Sequence, residues 1–227
     1  MNVPVKTRST SQSIVFPDGG YYFLKNNNFS VAVIGMGKQK IKKGHIHFDV
    51  GSITLSYKGI SLIIDAGTYC YTRDINKRNE YRNINMHNLI VNMDDCPNFM
   101  SNNIFGIELP NKININSFNN NFISYSHNYF AYTCKRQIKI NKSRISINDS
   151  YPTHMNILFH LNPNVNLYEK NTNRCIMEMQ SERIILLSDG YIKYAKYHYS
   201  PGYNRRILSD KIVINGEKQI NTDIVAS

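Results

Sequence analysis

The chain has no tryptophan, four cysteines in 227 residues, and no apolar run of membrane-spanning length. Each shortage excludes something. A transmembrane helix needs about 20 consecutive apolar residues, so no membrane span is expected. Residues 1–8 lack an apolar core and do not read as a signal peptide. Cys70, Cys96, Cys134 and Cys175 form no Cys-x-x-Cys pair. That removes the zinc-knuckle and thioredoxin-like patterns and leaves buried free thiols as the expectation. Acidic residues are scarce too: 16 Asp and Glu stand against 27 Lys and Arg, a formal net charge of +11. Such a surplus favours anionic partners (nucleic acid, acidic lipid or acidic polysaccharide) or is simply a solvated basic surface. The one local cluster, Lys38, Lys40, Lys42 and Lys43, has no helix-turn-helix or RNP-like pattern beside it, so nucleic acid falls behind.

What is present is enough to bury a core. Hydrophobic residues make up 41% of the chain, and 16 Tyr and 10 Phe supply the aromatic area. Residues 1–15 are polar at first and read as a linker or flexible start. From residue 16 onward, short apolar runs alternate with Asn, Asp, Gly, Pro and Ser. Tyr21–Lys25 and Ser30–Gly35 predict a hairpin across Asn26-Asn27-Asn28. Gly51–Tyr57 and Ile60–Asp65 predict another across Lys58-Gly59, and later strands recur at roughly the 8–12-residue spacing of sandwich folds. Residues 72–85 are polar and arginine-bearing and suit a short helix or an irregular excursion. No strong amphipathic helix and no tandem repeat is present. The fold expected is all-β, one large antiparallel β-sandwich of many short strands over 16–227.

Chemistry-bearing residues concentrate early. His45, His47 and Asp49 share a period of two, which on a strand places three ligand-type or proton-moving side chains on one face. Asp65 sits at the end of an apolar strand, where a carboxylate can leave the core. Tyr69, Tyr71, Arg78, Arg82 and His87 follow. Arg78 and Arg82, four apart, would share a helix face. They either clamp a carboxylate or sulfate through their planar guanidinium groups or pair with Asp49, Asp74 or Glu80. Tyr69 and Tyr71 either stack on sugar rings or pack. His127, His154, His160 and His198 have no partners at telling spacings and read as structural or surface residues.

The ordered set Gly44-His45-Ile46-His47-Phe48-Asp49, Tyr57-Lys58-Gly59, Asp65-Ala66-Gly67-Thr68-Tyr69-Cys70-Tyr71, Arg78, Arg82 and His87-Asn88 resembles the heparinase II/III family of polysaccharide lyases. It is similar to that family's C-terminal β-sandwich domain, with fainter echoes at Asp18–Tyr22, Arg136, Asp149 and Ser200–Tyr203. The resemblance implies β-elimination of acidic, uronate-containing polysaccharide, with a helical toroid supplying the other half of the cleft. That toroid is expected either on a separate chain or lost by truncation, and without it the domain is expected to be incomplete as an enzyme. It implies a metal site at His47, Asp65 and His87, holding one zinc in a structural role. It places His45 at the cleft as a catalytic acid or base, with Arg78, Arg82 and Tyr71 toward the substrate. Relatives of this kind act in the periplasm or outside the cell. The alternative function is a non-catalytic module that binds acidic glycan or assembles with a partner.

Overall fold

In the computed structural model the described residues are 12–35, 46–92, 113–129 and 132–227. The first sheet is a five-stranded antiparallel meander in which each strand pairs with its neighbour in sequence. It contains β1 (Ile14–Phe16), β2 (Tyr21–Lys25), β3 (Phe29–Ile34), β4 (Ile53–Tyr57) and β5 (Ile60–Ile63). Buried and partly exposed residues alternate along β3 and β4, as a strand with one face on a core requires. Both hairpins read from the sequence are present. Lys58 (φ 48°) and Gly59 (φ 81°) form the second turn, with positive φ at both central residues as a type I′ connection demands.

An excursion follows: helix α1 (Ile75–Arg82), a 3₁₀ turn at Ile84–Met86, and β6 (Ile90–Val91). The second sheet then builds from β7 (Asn114–Phe118), β8 (Phe122–Tyr129), β9 (Tyr132–Ile140), β10 (Arg144–His160), β11 (Asn166–Tyr168), β12 (Arg174–Met179), β13 (Glu182–Ser188), β14 (Tyr191–Gly202) and β15 (Arg205–Ala226). Two long strands organise it. β15 pairs with β10 along one edge and with β14 and then β13 along the other. β10 pairs with β9 through its first half and takes β6 beside Asn156 and Ile157 in its second. β10 runs continuously through Pro152, because a bulge between Ser150 and His154 is a place where a strand tolerates a residue with no N–H.

The two sheets pack face to face over one apolar core. Leu24, Phe29, Ile53 and Leu55 from the first meet Ile138, Ile145, Ile157, Phe159 and Ile214 from the second. They also join edge to end: Ile63 bridges Leu161, Ile64 N–H donates to His160 O, and Asn162 N–H donates to Leu62 O. That junction places the end of β5 beside the end of β10, and the candidate site lies there. Cys70, Cys134 and Cys175 are buried free thiols; Cys96 lies outside the described residues.

Candidate functional site

Asp65 lies two residues past the end of β5, where the chain leaves the sheet. Two residues on, Gly67 has φ +84°, and a Cβ there would lie 2.3 Å from Ser200 O, so only glycine lets this loop meet the tip of β14 so closely. Helix α1 begins at Asp74, whose Oδ1 accepts the Lys77 N–H. It buries Arg78, Tyr81 and Arg82, an i, i+3, i+4 set, against the domain. Asn83 ends the helix and caps the 3₁₀ turn through Asn85 N–H, and His87 emerges from that turn fully buried.

His87 Nδ1 lies 2.6 Å from Asp65 Oδ2, and Asp65 Oδ1 accepts the Gly67 N–H at 2.9 Å. The His47 ring stands 5.4 Å from the His87 ring, centroid to centroid. The buried Nε2 of His87 makes no well-formed hydrogen bond among the described residues, although the Arg82 backbone helps to hold the ring charged. Burial and the nearby charge of His87 push His47 down to about 3, so His47 is a neutral imidazole with a lone pair to offer. Burial opposes charge on His87, but the Asp65 carboxylate, its hydrogen bond and the charge of Asp49 outweigh it and hold His87 above its usual range. Burial likewise opposes charge on Asp65, and His87 together with the Gly67 N–H outweighs it, keeping the carboxylate ionised. Asp49 is raised by burial.

The structure therefore brings His47, Asp65 and His87 together, though not along one strand. Residues 46–50 carry no strand assignment. Their backbone is satisfied by the end of α1 instead: Phe48 N–H donates to Arg82 O, and Arg82 Nε donates to Ile46 O. The alternation read as one strand face is replaced by a segment strapped to a helix terminus. His45 lies outside the described residues.

Arg78 and Arg82 do share a face of α1, and that face is buried, with exposures of 3% and 2%. Arg82 is the strap on the 46–48 segment. Tyr69 and Tyr71 diverge, because Tyr69 takes φ 63° and the loop is not a strand. Tyr69 stacks between Tyr81 (5.5 Å) and the Arg206 guanidinium (4.9 Å), whereas Tyr71 is exposed and stacks on exposed Tyr203 at 6.5 Å.

Beneath the site lies a polar network to which the sequence reading assigned no role. Buried Asn88 donates through Nδ2 to Ile53 O and Ile64 O, and its Oδ1 accepts the His160 N–H. Arg136 Nη1 donates to Asn88 O, while Arg136 Nε and Nη2 hold buried Asp149 at 2.6 and 2.9 Å. This bidentate pair keeps Arg136 charged in the interior. His160 has its ring nitrogens 3.0 Å from Asn88 Oδ1 and from Asn85 O, a structural histidine as the sequence suggests. The only signal for Asn88 was its place after His87, because its partners are 24 to 72 residues away.

Among the described residues no three His, Cys, Asp or Glu side chains form a group disposed to hold a metal ion. The donor chemistry nevertheless suits zinc. It comprises one neutral imidazole and a second whose Nδ1 is fixed by a carboxylate and whose Nε2 makes no well-formed hydrogen bond among the described residues, the arrangement in which a histidine offers Nε2 to a metal.

Solved structures of similar fold include heparan sulfate lyase HepC from Pedobacter heparinus (18% identity, TM-score 0.77), covering 95% of this chain and 36% of that one. The heparinase III BT4657 gene product matches at 15% identity and TM-score 0.77, again over 95% of this chain and 36% of that chain. A further heparinase III matches at 15% identity and TM-score 0.75, over 96% and 37%. The chain thus spans just over a third of the length of these lyases. No curated protein sequence matches it. The heparinase II/III-like C-terminal family matches residues 8–227, nearly the whole sequence. On that match, with an all-β sandwich to go with it, the chain belongs to the heparinase II/III-like C-terminal domain family.

Proposed function

We propose that this chain is the β-sandwich half of a lyase that cleaves acidic, uronate-containing polysaccharide by β-elimination, and that it works against a helical toroid. The observation that carries the reading is the assembly of His47, Asp65 and His87 at one corner of a domain of this family. In the elimination, a base removes the proton at C5, α to the carboxylate, and an acid protonates the departing O4 oxygen. His45, two residues before His47, is the residue proposed for one of these transfers, since an imidazole titrates near neutrality. Tyr71, exposed beside Tyr203, offers the sugar a flat apolar surface. Both guanidinium groups are buried, so Arg82 would act on substrate through the 46–48 segment that it holds, and Arg78 from beside it on the same buried helix face.

One zinc is proposed at His47, Asp65 and His87, with a structural role: it would tie the 46–50 segment to the turn that carries His87. His47 and His87 supply imidazole nitrogens; Asp65, expected as the third ligand, has Oδ2 on His87 Nδ1 and Oδ1 on the Gly67 N–H, and its part is to fix the ring of His87. The test is release of unsaturated uronate from heparan sulfate, followed by ultraviolet absorbance, with and without a toroid-bearing partner. Turnover abolished by His45→Ala supports the reading. Turnover unchanged in that variant removes His45 from the chemistry. The net charge of +11 favours a second reading, a non-catalytic module for acidic glycan, for which the same assay gives binding without product.

A further inference from the structure

The second sheet carries, at the start of β14, a cleft that the lyase reading does not use. It measures about 730 Å³ and is lined by Lys170, Asn171, Thr172, Tyr191, Lys193 and Tyr194. Its frame is fixed by the chain itself: Ile192 N–H donates to Thr172 O, and the Tyr194 hydroxyl donates to Asn171 O and Arg174 O. Lys170 Nζ stands 5.6 Å above the Tyr194 ring and Lys193 Nζ 5.9 Å from the Tyr191 ring. No carboxylate lines the cleft, and the described residues place none within ion-pair distance of either lysine; nearby Glu169 is taken by Arg174. Tyr191 is 53% exposed although it is large and aromatic. Tyr197, whose ring meets His160 beneath the histidine site, lies six residues further along β14, roughly 20 Å at strand rise.

We propose that this cleft is a second binding site for an anionic saccharide, separate from the histidine corner. Tyr191 supplies the flat apolar face on which a pyranose ring packs, and Lys170 and Lys193 flank it with two ammonium groups for carboxylate or sulfate. The amides and hydroxyl of Asn171 and Thr172 provide hydrogen bonds at the rim. A chain held there would be retained on the protein while another stretch of it occupies the histidine corner, and the two attachments together would raise its effective concentration at that corner. The site stands on its own residues and does not depend on turnover.

The experiment is calorimetric titration of the whole chain with a heparin hexasaccharide, with maltohexaose as the neutral probe. Tyr191→Ala and the Lys170→Ala/Lys193→Ala pair should each weaken hexasaccharide binding fivefold or more, while maltohexaose binds poorly throughout. Lys135→Ala/Lys139→Ala removes the same charge from exposed positions on β9 and should change binding less than twofold. The lysine effect should shrink with salt and the Tyr191 effect persist, because ionic contacts are screened and stacking is not. Equal weakening by the β9 pair would reduce the cleft to general charge and overturn the proposal. So would loss of all binding in Tyr71→Ala with no change in Tyr191→Ala. Absence of lyase activity would leave this site standing, so the two readings fail separately.

Discussion

Oδ2 of Asp65 lies 2.6 Å from Nδ1 of His87, 22 residues apart in sequence, and this contact fixes which nitrogen His87 presents to the site. The carboxylate holds the Nδ1 proton, so the buried Nε2 is the atom available to a ligand.

Zinc affinity should depend on that contact. Elemental analysis of the purified protein should find about one zinc per chain, absent in His47→Ala. Asp65→Asn should retain the metal but bind it about tenfold to a hundredfold more weakly, as loss of an orienting carboxylate does. Competition with a chromogenic chelator measures both. A well-folded wild type without metal would sink the ligand assignment.

Gly67 and Gly59 both take positive φ, but their surroundings differ. A Cβ on Gly67 meets Ser200 O at 2.3 Å, whereas nothing lies within 4 Å of one on Gly59. Gly67→Ala should lower stability by about 2–4 kcal/mol, and Gly59→Ala by about 1 kcal/mol from the φ term alone. Thermal unfolding should separate the two, and equal shifts would deny the close packing of the 66–69 loop on β14.

Arg136 and Asp149 are both fully buried and bidentate. Arg136→Met strands a carboxylate in the core and should cost about 3–5 kcal/mol. Adding Asp149→Leu should restore much of that loss, though the Asn88 carbonyl still loses its donor. Urea titrations of the two single variants and the double variant test this as a cycle.

Burial, helped by Arg136, pushes His127 down to about 3 in the folded chain, against about 6.5 when it is exposed. Between those values the unfolded chain binds a proton that the folded chain refuses. The stabilisation is therefore complete above pH 6.5 and is lost as pH falls, at up to about 1.4 kcal/mol per pH unit. His127→Gln should flatten the stability profile between pH 6.5 and 5, a window above the ordinary carboxylate range. An unchanged slope would show that His127 is not held neutral.

Apolar runs on either side of Asn26-Asn27-Asn28, and the alternation of Gly51–Tyr57 before the Lys58-Gly59 turn, determined the hairpins from sequence alone, because a period of two and turn chemistry are local properties. The ordered His, Asp, Arg and His-Asn set likewise determined the family. Two things were decided only by the tertiary structure. The 46–50 segment alternates like a strand, yet it is tied to the end of α1, because Arg82 reaches Ile46 O and Phe48 reaches Arg82 O across more than 30 residues. And Arg78 and Arg82, which as residue types suit an exposed clamp, are buried. A guanidinium's task is set by the groups that surround it after folding, and in this chain those groups come from distant segments that meet only where the two sheets join.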